Sequence, residues 1–270
     1  MKKYEELTLK DDFLFSKVMS QPELCKRLLE LMLEIKIDKI EVIEREHSIN
    51  PHYDTHGIRL DVYVKDTNKI YDIELQTTNE RNLEYRSRYY QSVIDTDEFE
   101  KNLDYTKLKE TYIIFICTFD PFGDGLLKYD IKQYYEINKK SSYIKNYNDN
   151  THKLFYNLSS DELENGNSEL FSFFKYLLNN NAEGSFAQEV AKAVNNARHY
   201  SQWRKEYMNM ATKLHEVYIS ALSKGRTEGI SVGQKQATKS IARAMLSSGV
   251  DIPTISQCTG LSIKEIEEIK

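Results

Sequence analysis

Apolar and polar residues alternate most sharply between Ile58 and Gln76. Two β-rich runs, IRLDVYVK and KIYDIELQ, flank the turn-prone Asp66-Thr67-Asn68, a pattern that predicts an antiparallel hairpin. Alternate side chains of a strand share a face. Ile58, Leu60, Val62 and Val64 therefore fall on one side of the first strand, and Arg59, Asp61 and Tyr63 on the other. In the second strand Tyr71, Ile73 and Leu75 oppose Asp72, Glu74 and Gln76. With Thr67-Asn68 as a two-residue loop, Asp66 pairs with Lys69. The same register sets Asp61 opposite Glu74 and Arg59 opposite Gln76.

The flanking pattern predicts two short helices over 11–34, separated at Gln21-Pro22, with Phe13, Phe15, Val18 and Met19 in the core. IDKIEVIERE, from Ile37, reads as the first strand and SINPHYDTHG as a polar loop. After Gln76 a helix carries Leu83, Tyr90 and Ile94 on one stripe and Tyr85 and Tyr89 on a neighbouring one. TYIIFICTF, from Thr111, is a continuous apolar run and so a central buried strand, with DPFGDG as its turn. IKQYYEI and KLFYNL read as further strands at the sheet's other edge.

From Asp161 the spacing becomes helical. Tyr207, Ala211, Leu214, Tyr218 and Ala221 repeat at 3-4 intervals, too briefly for a coiled coil, which fits packing on the core or on a partner subunit. Gly225, Gly229 and Gly233, in a polar segment, predict a hinge or linker. The tail reads as short helices around Thr259-Gly260, the last opened by the capping box Ser262 to Glu265. This helix-turn-helix-like unit has only Lys264 and Lys270 as basic residues near its end, which fits packing or oligomerisation better than groove reading. The expected division is 1–160, 161–224 and 225–270.

Charged residues at 29% and hydrophobics at 40% are those of a soluble globular protein. No apolar run approaches a membrane span, and the polar, acidic start is unlike a signal peptide. Three scattered cysteines, Cys25, Cys117 and Cys258, argue for a reducing cytoplasm. The net charge of -5 is unlike the basic balance of most nucleic-acid binders. Arg81, Arg86 and Arg88, with Lys101, Lys107 and Lys109 beyond, form a candidate local patch, although each also suits a solvated helix face. His47, His52 and His56 have spacings that fit no usual zinc pattern.

Two carboxylates at facing cross-strand positions, Cβ atoms ~5 Å apart, repel each other. Magnesium, which takes one or two carboxylates plus water and phosphate oxygens, is the natural compensation for Asp61 and Glu74. A plain solvated hairpin is the alternative. The set Asp61, Glu74, Gln76, with KDDFLFSKVM before it, Arg81, Tyr85 and Tyr90 after it in the spacing R-x3-Y-x4-Y, and TGLSIKEIEEI at the end, resembles the PD-(D/E)XK nuclease family transposases. These are related to the recombination-promoting nucleases, and the resemblance spans nearly the whole chain.

The resemblance implies an α/β fold with a restriction-endonuclease-like mixed sheet flanked by helices and a helical C-terminal extension. It also implies a metal-dependent DNA endonuclease linked to recombination or mobile elements. Asp61 and Glu74 would bind Mg2+ or Mn2+ with help from Asp12, and Gln76 would orient the attacking water. Asp12 equally suits a helix N-terminus, and Asp11 is its substitute. Arg81, Tyr85 and Tyr90, with Arg86, take supporting or phosphate-contacting roles. The superfamily has Glu-x-Lys here and this branch often Glu-x-Gln; Gln76 carries no charge, so a lysine there is expected to retain or raise activity. DNA is the expected partner, a homodimer through the helical second half is possible in this reading, and a membrane is not involved. The alternatives are a degenerate nuclease fold that binds nucleic acid without cutting it, and a protein-interaction module.

Overall fold

The computed structural model describes residues 2–49, 58–99, 104–136 and 144–269, and the structural statements below concern those residues. Asp11 precedes helix α1 (Asp12–Met19), and its carboxylate accepts from Thr8 N at 2.8 Å. Pro22 occupies the first turn of α2 (Pro22–Leu33), where a missing N–H leaves no helical bond unmade. The expected first strand begins later than Ile37. That residue is buried and gives its N–H to Glu30 Oε1 at 2.9 Å, so it plugs the core below α2, and β1 runs over Val42–Ile49.

Strands β2 (Ile58–Lys65) and β3 (Lys69–Gln76) form the hairpin, with Lys65 paired to Ile70 and Val62 to Ile73. Asp66 N donates to Lys69 O at 2.9 Å, which is the turn geometry the two-residue loop requires. Helix α3 (Leu83–Glu98) follows, then β4 (Glu110–Cys117), which lies parallel to β3 along its whole length. Strand β5 (Lys128–Ile131) leads to the ribbon pair β6 (Tyr134–Glu136) and β7 (Ile144–Asn146), and then to β8 (Thr151–Asn157). The main sheet has the order β1-β2-β3-β4-β8-β5, and it is mixed, with β4 parallel to both β3 and β8.

Two edge expectations are corrected. KLFYNL falls mostly in β8, inside the sheet between β4 and β5, because Leu154, Phe155 and Tyr156 need cover on both faces. IKQYYEI contributes β6 to a separate ribbon, where Tyr134 and Tyr135 remain about half exposed at 57% and 48%. The outer edge is the polar β5.

The apolar run of β4 is buried on both sides. On one face Ile113 and Phe115 join Tyr63, Ile70 and Phe155 beneath Leu83, Tyr90, Val93 and Ile94 of α3. On the other, Tyr156 packs on Phe174 of α5 (Glu169–Asn179) and donates to Met32 O at the end of α2. A short α4 (Asp161–Asn165) precedes α5, and α6 (Ser185–His199) packs against α1 and α5. Tyr4 donates to Ala197 O at 2.7 Å and ties the N-terminal segment to α6.

Two compact units are distinguished, Met1–Lys205 and Glu206–Lys270. Helix α7 (Ser201–Ser247) is continuous through Gly225, Gly229 and Gly233. Each glycine costs a helix roughly 1 kcal/mol, which the neighbouring helix formers absorb without a break. In the second unit the end of α7 packs with α8 (Ile252–Thr259) and α9 (Ile263–Glu267) around Ala242, Ile255 and Ile266. Asp251 caps α8, Ser262 and Glu265 form the capping box of α9, and Gly260 makes the turn with φ 72°. Among the described residues, no helix is long and apolar enough to cross a membrane.

Replacing Ile114, fully buried in the central strand, with Ala is expected to lower unfolding free energy by about 2–5 kcal/mol. Tyr134→Ala, in the ribbon, should change it by less than about 0.5 kcal/mol. Urea unfolding of both variants checks this, and equal losses would contradict the layer assignment.

Candidate active site

The β2–β3 ladder stops at the pair Val62 and Ile73. One step further, side chains replace the main-chain bonds. Glu74 Oε1 accepts Asp61 N–H at 3.0 Å, and Asp61 Oδ2 accepts Leu75 N–H at 3.1 Å. β2 stays fully paired to β1 and β3 to β4, so only the seam between β2 and β3 opens. The result is a polar cleft of about 250 Å3 lined by Asp12, Arg59, Asp61, Glu74, Gln76 and Arg86, with Thr77, Thr78 and Glu80 at its rim. Asp61 and Glu74 converge there as the hairpin register requires, but inside the sheet and not on an open sheet edge.

Both acids resist ionisation. Asp61 is 8% exposed, and burial, reinforced by the charge of Asp12, pushes its carboxyl up to about 6 against the pull of Leu75 N–H, Arg59 and Arg86. Glu74 is 1% exposed, and burial followed by repulsion from Asp61 pushes it up to about 8. Arg86 Nη2 lies 3.4 Å from Glu74 Oε2, yet its attraction is the smaller effect. Asp72, opposite Tyr63 in the ladder, is fully buried, and neither of its oxygens has a hydrogen-bond partner among the described residues. Burial and the charges of Glu74 and Asp61 hold it well above the usual carboxylate range.

Gln76 is held from two sides. Its Oε1 accepts from Arg86 Nη1 at 2.7 Å and its Nε2 donates to Glu74 Oε2 at 3.3 Å. Arg86 also donates to Tyr90 Oη at 2.8 Å and covers the rings of Tyr90 and Phe115. The structure thus brings Asp12, Asp61, Glu74, Gln76 and Arg86 to one cleft, with Tyr90 beneath the arginine.

Other sequence candidates lie elsewhere. Asp11 stands at the N-cap position of α1 without a side-chain cap bond, and its carboxylate is engaged by Thr8 and by Lys2. Arg81, exposed and left-handed at φ 54°, does not line the cleft, and Tyr85 is 68% exposed on the outer side of α3. Lys109 pairs with Glu98 at 3.9 Å. Lys101, His52 and His56 lie outside the described residues, and His47 stacks on Tyr63 with ring centroids 4.6 Å apart. Among the cleft residues, Thr77, Thr78 and Glu80 have no sequence signal beyond following Gln76, whereas Arg59 was placed by the hairpin register.

A mixed sheet flanked by helices, with an interior hairpin that parts to present two acids, defines a restriction-endonuclease-like α/β protein. The family model for PD-(D/E)XK nuclease family transposases matches residues 9–224, and the chain belongs to that family. Residues 235–270 match the C-terminal HTH domain of the Rpn/YhgA-like nuclease family. No curated protein and no solved structure matches the chain at a significant level.

No group of three His, Cys, Asp or Glu among the described residues is arranged to hold a metal ion by itself. Asp61 and Glu74 supply the two carboxylates that magnesium uses when water and phosphate oxygens complete its shell, so the donor set fits that ion.

The raised carboxyls set a pH dependence. Ordinary values near 4 in the unfolded chain, against about 6 and 8 in the fold, mean that the folded protein holds these protons more tightly. Metal-free stability is therefore greatest at low pH within this window and falls as pH rises from about 4 through 8. Thermal midpoints in EDTA should decline between those limits. Asp72→Val, which removes an unpartnered buried carboxyl, should raise stability by about 1–3 kcal/mol. A midpoint that climbs with pH, or a destabilised Asp72→Val, would contradict these assignments.

Proposed function

We propose that the chain is a divalent-metal-dependent endonuclease that hydrolyses phosphodiester bonds in DNA, in the service of recombination or mobile elements in the cytoplasm. The observation that carries this reading is the convergence of Asp61 and Glu74 at the opened seam. These two residues, with Asp12 beside Asp61, hold Mg2+ or Mn2+ in this reading. The bound ion supplies positive charge to the scissile phosphate and acidity to water.

The chain's own residues supply the rest. The cross-strand hydrogen bonds preset the two carboxylates before substrate arrives. Gln76 offers an N–H to the incoming water. Arg59, exposed at the cleft, is placed to meet a phosphate of the DNA backbone. In the tail, Lys235, Lys239 and Arg243 recur every fourth residue on one side of α7, a stripe suited to phosphates, whereas α9 and its C-cap carry Glu265, Glu267 and Glu268 against Lys264. Beyond the hydrogen bonds from Ser262, Lys239 and Lys235 lie close enough to Glu265 to lower its carboxyl, so the stripe is partly neutralised from α9, and positioning, not base reading, is the role this leaves the tail on DNA. Leu214, Tyr218 and Leu222 are exposed on α7, and a homodimer would use them.

A second reading, a fold that binds DNA without cutting it, stands as the rival, although Asp61, Glu74 and Gln76 are all in place, which argues against a degenerate site. Cleavage decides between the two. Purified protein with supercoiled plasmid and Mg2+ or Mn2+ should nick and linearise it. Asp61→Ala and Glu74→Ala should each lose activity by at least about 100-fold while keeping the wild-type circular dichroism spectrum. Equal activity in all three proteins would overturn the assignment.

A further inference from the structure

The Gln76 amide has no freedom to choose its orientation. A guanidinium only donates, so the amide oxygen must face Arg86, and the amide nitrogen is then the group turned to Glu74. What remains for the cleft is the second N–H of Gln76. Arg86 reaches this position from α3, anchored by the Tyr90 hydroxyl and by the faces of Tyr90 and Phe115, and its second terminal nitrogen lies against Glu74. The positive charge beside Gln76 is therefore borne by the helix, one hydrogen bond behind the strand residue, while Arg59 lies exposed at the cleft on β2.

We infer that Arg86 and Gln76 act as one unit: Arg86 is a positioning residue that fixes the Gln76 amide as a donor and supplies, from the helix, the positive charge that the amide lacks. The inference rests on the nuclease reading and deepens it. It changes the expectation for a lysine at 76. An ammonium there would replace an acceptor of the Arg86 N–H with a second cation beside the same guanidinium, so the site would hold two like charges. Lysine should work at 76 only once Arg86 is neutral. A further consequence concerns metal binding, because Arg86 shares Glu74 Oε2 with Gln76 and so opposes a cation at that carboxylate.

The experiment compares wild type, Arg86→Met, Arg86→Lys, Gln76→Lys and the double variant Gln76→Lys/Arg86→Met, with Asp61→Ala as control. Two quantities are read on full-length protein: Mn2+ affinity by electron paramagnetic resonance, and plasmid turnover at saturating Mn2+. Arg86→Met should bind Mn2+ about 3–10-fold more tightly, since a cation beside the ligands is removed, yet turn over about 10–100-fold more slowly. A residue that merely supports the fold would weaken both. Arg86→Lys keeps the charge without the planar fork, so it should restore wild-type Mn2+ affinity but not turnover. Gln76→Lys should be slower than wild type, and the double variant faster than either single variant. Unchanged Mn2+ affinity in Arg86→Met, or independent effects of the two substitutions, would overturn the unit. If wild type and Asp61→Ala are equally inactive, the nuclease reading fails, and the Mn2+ affinities alone then decide on Arg86.

Discussion

The structure depends on an exchange of partners at one seam. Where β2 and β3 should continue their ladder, Asp61 N–H goes to the Glu74 carboxylate and Leu75 N–H to the Asp61 carboxylate. Each buried N–H is satisfied, which removes the penalty that would otherwise attend splaying two interior strands. The same bonds orient both acids toward a common space. Because β1 and β4 hold the outer sides of the two strands, the opening remains local.

The exchange has an electrostatic cost. Three carboxyls, Asp61, Asp72 and Glu74, lie within one small region of the sheet, all buried and all displaced upward in pKa. The charge of Arg86 offsets part of this for all three and backbone N–H donors do so for Asp61 and Glu74, while neither oxygen of Asp72 has a hydrogen-bond partner among the described residues. An arrangement of this kind stores repulsion, which the divalent cation of the proposed function would relieve. Covering helices add to the effect. α3 excludes water from the Glu74 side and brings Arg86, and α1 brings Asp12.

Much of this was legible in the sequence, where local rules are strict. Strand alternation and a two-residue turn fixed the relation of Asp61 to Glu74, because a slip of one residue would bury the wrong face. Tyr90 and Ile94 were placed in the core by helical spacing, and both are buried. Long-range placement was less legible. Nothing local tells that β8 inserts beside β4 or that Tyr134 leaves the sheet, since both runs read as β-rich. Arg86 was expected in a supporting or phosphate-contacting role, but its bond to Gln76 depends on how α3 crosses the sheet. The spacing of the α7 glycines did not by itself reveal that the helix runs unbroken through them.

The central claim is that Asp61 and Glu74 are partly protonated in the metal-free protein and give up those protons to a divalent cation. Isothermal titration of Mg2+ into the protein at pH 7, repeated in buffers of different ionisation enthalpy, measures protons released per ion bound. With both carboxyls held above their ordinary range, the expected result is net proton release at pH 7 that diminishes as the pH is raised. Binding with no proton release at pH 7, or with the same release in Glu74→Gln, would contradict the account.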